Sequence, residues 1–204
     1  MTNNFPPRSE RAGEIEALLN VLSTAVEGRG AVYMSAPITS GRRYSAWRLR
    51  LGGQTPQPGN EEELRREVVE HNREHAARVA REIRSSCGAT LIDPTRLEDL
   101  PGWTQDDYRT FWALVVERFA LKVLFIDDWQ YSNGCSYEFL TARRCGVPTF
   151  DERERSLSLA DGMRLIRSAV GEMRGQSLPT SFLERVLEEL AKLRSPETEA
   201  LCTK

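Results

Sequence analysis

Residues 132–148 read "SNGCSYEFLTARRCGVP" and lie just two residues beyond "VLFIDDW" at 123–129. The apolar run ends in two acids, Asp127 and Asp128; a Ser132-Asn133-Gly134 turn then opens a helix that carries Glu138 one turn in. A helix N-terminus exposes unpaired amide hydrogens and a partial positive charge, so it draws anions. Two accounts fit this spacing equally. In one, Ser132 is an ordinary N-cap and Glu138 only complements the helix dipole. In the other, Ser132 and the Gly134 amide hold a phosphate or ribose oxygen, and Glu138, on the face shared with Gly134, addresses the same ligand.

A second stretch, "VYMSAPITSGRR" at 32–43, leaves an apolar run through Ser35, Ala36 and Pro37 and reaches Gly41, Arg42 and Arg43. Small residues let the backbone approach a ligand, and arginines fork onto phosphate or carboxylate. Taken alone, the stretch reads as a surface turn with solvated arginines. There is neither a GxGxxG nor a Walker lysine, so the pattern points to no dinucleotide cofactor and no P-loop. Trp129 can stack on a base, although a lone aromatic reads first as a lid over core residues. Cys135 sits at a helix N-terminus, where thiolates are stabilised; without a histidine partner it ranks below Glu138. His71 and His75 lie four apart, but no third ligand follows at metal spacing, so they read as packing and surface residues and no metal is expected. Asn72 either hydrogen-bonds near a pocket or is a satisfied core polar group.

These loops need strands and helices to position them. "AVYMS" (31–35), "ATLID" (89–93), "KVLFID" (122–127) and "VPTF" (147–150) are nearly continuous in apolar character, as strands covered on both faces are. Residues 36–60 read as a loop rich in Gly, Pro and Arg, followed by a helix over 61–86 with Leu64, Val68, Asn72, His75, Val79 and Ile83 on one face. "TQDDYRTFWALVVERFA" is a further helix, with Thr104 as N-cap and Asp107 three residues on. Helical patterns also cover 10–27, 159–173 and 179–193. Alternation of strands and helices predicts an α/β fold: a doubly wound, mainly parallel sheet of four to five strands flanked by helices, with extra terminal helices. The division expected is a helical extension over 1–30, the α/β domain over 31–175, and a C-terminal helix and tail over 176–204. Ligands of such sheets bind beyond the carboxyl ends of the strands, which directs attention to the loops after Ser35, Asp93 and Asp127.

Composition narrows the function classes. With 204 residues, 28% charged and 40% hydrophobic, the chain has the makings of one well-packed domain. A net charge of −2 gives no reason to expect nucleic acid or an anionic membrane as partner. No apolar run approaches the roughly 20 residues that span a bilayer. The start "MTNNFPPRSER" lacks the layout of a secretory signal. Cys87, Cys135, Cys145 and Cys202 form no CxxC pair and read as free thiols of a reducing cytoplasm.

Taken together, "VYMSAPITSGRR" and "DDWQYSNGCSYEFLTARRCGVP" resemble the nucleoside 2-deoxyribosyltransferase superfamily, and within it the 2′-deoxynucleoside 5′-phosphate N-hydrolases. The shared pattern is a Tyr-containing first strand that runs into a small-residue loop with Ile, Gly and Arg. Later come Ser-x-Gly, a Glu six positions after the Ser, and Gly-x-Pro. "HNREHAARVAREIRSSCGATLIDP" fits the intervening helix and strand, so the resemblance covers about residues 31–150. It implies that Glu138 attacks the anomeric carbon of a nucleoside or nucleoside 5′-monophosphate. Ser132 and Gly134 would contact the sugar or phosphate; Tyr33, Ile38 and Arg42, with the neighbouring Ser35, Ala36 and Pro37, would line the base and phosphate pocket. Asp127 or Asp128 would place the sugar or polarise the base. N-glycosidic cleavage passes through an oxocarbenium-like state that an adjacent carboxylate stabilises, while a second acid protonates the departing base. The resemblance further implies homodimers or larger homo-oligomers whose subunits complete each other's pockets, and the C-terminal helices, whose apolar stripes (Leu183, Leu187 and Leu190 in the second) need a partner surface, are the candidate interface. The chain departs from the pattern at Leu114, where phosphate-dependent relatives carry an aspartate; the nearest acids on that helix are Asp107 and Glu117.

Overall fold

The computed structural model describes residues 11–52, 57–86, 88–97 and 100–193, and the account below concerns these residues. Cys87 and Cys202, expected as free thiols, lie outside them. One sheet holds β1 (Ala31–Ser35), β2 (Thr90–Ile92), β3 (Ala120–Phe125) and β4 (Thr149–Asp151). Its order is β2-β1-β3-β4, and every neighbouring pair is parallel. Around it, in chain order, run α1 (Ala12–Ala25), α2 (Arg42–Arg50), α3 (Glu61–Leu64), α4 (Glu70–Ser86), α5 (Gln105–Phe119), α6 (Asn133–Arg144), α7 (Leu159–Gly175) and α8 (Ser181–Lys192). The α/β, doubly wound parallel arrangement expected from the alternating pattern is the one found. None of the described helices is long and apolar enough to cross a membrane.

Strand alternation divides the core in two. Tyr33, Val123 and Phe125 face one side, where they pack with Ile15 and Leu19 of α1, Val115 of α5 and Phe139 of α6. Val32, Met34, Leu124 and Ile126 face the other, covered by Ala76, Val79, Ala80 and Ile83 of α4. All five residues of β1 are buried, which explains its unbroken apolar sequence. The helix starts follow local chemistry. Thr104 and Asp107 form a reciprocal capping box at α5. Ser132 accepts from the Cys135 amide at 3.4 Å to open α6, which closes through Gly146 at φ 67°.

Three expectations need correction. Residues 36–60 are not all loop, because α2 occupies Arg42–Arg50. Its sequence "RRYSAWRLR" has no apolar stripe; Trp47, 1% exposed, anchors it, and its N-cap, Gly41, has no side chain to cap with. The expected continuous helix over 61–86 is interrupted by a π-helical turn, Arg65–Val69, between α3 and α4. The apolar stripe of α8 does not await a partner surface: Leu183, Val186 and Leu190 are fully buried against α6 and α7, and Leu187 packs on the same core.

Candidate active site

β1 presents two hydroxyls to one carboxylate. Tyr33 Oη donates to Glu138 Oε1 at 2.9 Å, and Ser35 Oγ donates to Glu138 Oε2 at 2.6 Å. Residues two apart on a strand share a face, so Tyr33 and Ser35 both meet the first turns of α6 as it leaves the β3 loop. Glu138 is 7% exposed. Burial raises its carboxyl above the usual glutamate range, and the bonds from Ser35 and Tyr33 oppose that rise. The Tyr33 phenol is held well above its ordinary value, first by burial and then by the Glu138 charge, so the tyrosine keeps its proton and acts as donor. Cys135 shares this buried neighbourhood, and its thiol is pushed up to about 12, chiefly by burial. Desolvation there outweighs the helix N-terminus that favoured a thiolate, so Cys135 is an inert thiol.

The strand order reverses between β1 and β3, which puts the ligand crevice of a doubly wound sheet beyond Ser35 and Phe125. Two clefts open there. The smaller, about 240 Å³, is lined by Ala36 and Pro37 after β1, Asp127 and Asp128 after β3, and Asn72 and His75 of α4. Arg42 and Arg43 close its rim. The larger, about 510 Å³, lies on the β4 side and shares Arg42, Asp127 and Asp128 with the first. Its other charged lining is mutually paired, Asp151 with Arg155 and Asp161 with Arg164. Glu138 lines neither cleft; it lies behind them, bonded to the last residue of β1.

The residues singled out by sequence thus fall into three groups. Tyr33, Ser35 and Glu138 form the buried triplet. Ala36, Pro37, Arg42, Asp127 and Asp128 line the crevice. Ile38, Trp129, Ser132 and Gly134 serve the frame or its margin. The Ile38 carbonyl accepts from Asn72 Nδ2 at 2.9 Å, and the Ser40 carbonyl from the same nitrogen at 3.0 Å, so Asn72 pins the first loop. Trp129, 3% exposed, packs on Phe125 and Phe139 with ring centroids 4.7 and 5.0 Å away, and its indole also borders the larger cleft. Ser132 caps α6, and Gly134 is half-buried in its first turn.

Asp128 adopts a left-handed conformation, φ 69° and ψ 6°, that aims its carboxylate at α2. Its Oδ2 accepts from the Arg42 amide at 3.3 Å, and Arg42 Nε lies 3.5 Å from Oδ1. Gly41, at φ 95°, passes so close that a Cβ there would sit 3.4 Å from the Asp128 Cβ. Arg42 Nε also donates to Tyr131 Oη at 3.0 Å, and that hydroxyl donates to Glu172 Oε2 at 2.6 Å. The two crevice loops are therefore latched to each other and to α7.

Neither acid near Leu114 lies where it could stand in for the helix aspartate that the resemblance leads one to expect. Asp107 accepts from both the amide and the hydroxyl of Thr104 as part of the α5 cap. Glu117 is exposed near the C-terminal end of α5, which leads into the start of β3 and so lies at the opposite edge of the sheet from the crevice. A different pair occupies the crevice instead. His75 Nε2 lies 3.1 Å from Glu152 Oε2, and the Asp127 amide donates to that same oxygen at 3.2 Å. Sequence reasoning passed over Glu152. The available signal was its position, one residue past the carboxyl end of β4, where ligand-facing loops of this fold gather. No protein-family profile, curated protein or solved structure matches the chain.

Proposed function

We propose that the protein is an N-glycosidase of the nucleoside 2-deoxyribosyltransferase kind, acting on a nucleoside or nucleoside 5′-monophosphate with Glu138 as nucleophile. The observation that carries this reading is the anchoring of both Glu138 oxygens by Tyr33 and Ser35 at the end of β1. Two donors fix the carboxylate in one orientation, so no rearrangement is needed as charge develops at the anomeric carbon. Burial makes it more basic than a solvated glutamate, which favours bond formation to an oxocarbenium-like centre. In this reading the substrate enters through the cleft lined by Ala36 and Pro37, and its sugar reaches inward toward Ser35 and Glu138. Arg43 at the rim supports recognition of a 5′-phosphate. Water accepts the sugar in hydrolysis, and a second base accepts it in exchange. The resemblance extends the proposal to a homodimer or larger homo-oligomer, which light scattering on the purified protein tests, and the scattered cysteines extend it to a reducing cytoplasm.

Binding without turnover is the second reading, favoured by Glu138 being 7% exposed and lining neither cleft. Incubation with a panel of nucleosides and their monophosphates, followed by chromatography of free base, separates the two. Base release that Glu138→Gln lowers by about three orders of magnitude or more supports the enzyme. Calorimetric binding of a monophosphate with no base released supports the sensor, and neither result would leave both readings without foundation.

A further inference from the structure

We propose that His75, oriented by Glu152, is the acid that protonates the departing nucleobase. This rests on the glycosidase reading and supplies what that reading lacks, a proton donor on the base side of the crevice. His75 lines the cleft next to Ala36 and Pro37, one and two residues beyond the Ser35 that holds Glu138. A ligand whose sugar reaches inward toward Ser35 and Glu138 from this cleft therefore leaves its base among Ala36, Pro37 and His75. The imidazole is half-buried, its side chain 30% exposed, and its Nε2 is engaged by Glu152, whose side chain is only 14% exposed. Glu152 is fixed in turn by the Asp127 amide. A histidine whose one ring nitrogen meets a braced carboxylate has a set orientation, and it leaves the other nitrogen for a ligand.

The other candidates fit less well. The Asp128 carboxylate is engaged with the amide and guanidinium of Arg42. The Asp127 side chain is exposed, so nothing in the fold sets its direction toward the base. The charges around His75 are Glu152 from the turn after β4, Asp127 and Asp128 from the β3 loop, and Arg42 and Arg43 from α2. On α4 itself, His71 pairs with Glu74 and Arg78 with Glu82.

The step balances as follows. A Glu138 oxygen bonds to the anomeric carbon as the carbon–nitrogen bond breaks, and its electron pair passes to the base. His75 gives its proton to a ring nitrogen of that base, which departs neutral. Water then attacks the glycosyl ester, returns a proton to His75, and releases the sugar and the free Glu138 carboxylate.

The test compares two substrates of the same pentose: a nucleoside, and a p-nitrophenyl glycoside whose leaving group needs no proton. His75→Asn should lower nucleoside cleavage about a hundredfold or more while p-nitrophenol release stays within about threefold of wild type. Glu152→Gln should show the same selectivity, with a loss of about tenfold. Retained p-nitrophenol release also certifies that each variant is folded. Equal losses on both substrates, or no loss on the nucleoside, overturn the assignment and leave His75–Glu152 a tie between α4 and β4. If wild type cleaves neither substrate, the glycosidase reading itself fails and takes this proposal with it.

Discussion

The Ser35 hydroxyl meets a carboxylate oxygen of Glu138 at 2.6 Å, although 103 residues separate them in the chain. Burial raises the Glu138 carboxyl, and this bond, ahead of the one from Tyr33, opposes the rise. Removing either donor therefore moves the carboxyl further up. Under the proposed glycosidase function Glu138 must be ionised to attack, so the acid limb of kcat/KM against pH should shift to higher pH in Ser35→Ala and by less in Tyr33→Phe. A limb that stays put in both variants would mean that another group governs activity.

Stability should carry the same signature. A carboxyl raised on folding binds its proton more tightly in the folded state than in the unfolded one. Stability is then fullest below the ordinary value of 4.5 and declines as pH climbs through the raised value. Glu138→Gln cannot ionise, so its Tm relative to wild type should increase across that window. A difference that stays constant from about pH 4 to about pH 8 would contradict the raised carboxyl.

Gly41 occupies φ 95° and ψ −177°, a region that side chains avoid, with the Asp128 Cβ close by. Gly41→Ala should cost about 1–3 kcal/mol in urea denaturation. It should also weaken ligand binding, because the Arg42–Asp128 latch shapes both clefts. A change below about 0.5 kcal/mol would show that the loop relaxes without strain.

Gly162 lets α7 lie directly on the Phe139 ring, and an added methyl would overlap that ring. Phe139 is fully buried and adjoins Glu138, so the ring cannot move away freely. Gly162→Ala should lose about 1–3 kcal/mol, read from thermal melts, with near-UV dichroism reporting the displaced aromatics.

The sheet was legible because "AVYMS" and "KVLFID" are nearly continuous in apolar character, the mark of strands buried on both faces. The caps at Thr104 and Ser132 were legible because their partners lie three residues away. Helix α2 was not, since its burial rests on Trp47 and its capping acceptor is Asp128. The His75–Glu152 pair was hidden for the same reason, with 77 residues between its members. The stripe on α8 was read correctly as apolar but given the wrong neighbour, because periodicity reports that a face is buried and not against what. Tyr33 and Ser35 sit in between: strand alternation puts them on one face, yet only the crossing of α6 brings them to Glu138.

The acceptor for the α2 N-terminus lies 86 residues downstream, in Asp128. A nine-residue helix is too short to persist alone. A ribosome delivers residues 42–50 long before residue 128, so during synthesis this segment has an open end. Only when β3 docks beside β1 does the missing acceptor arrive. The first loop thus takes its final shape late, and the joining of β3 to β1 and the shaping of the crevice rim become a single event.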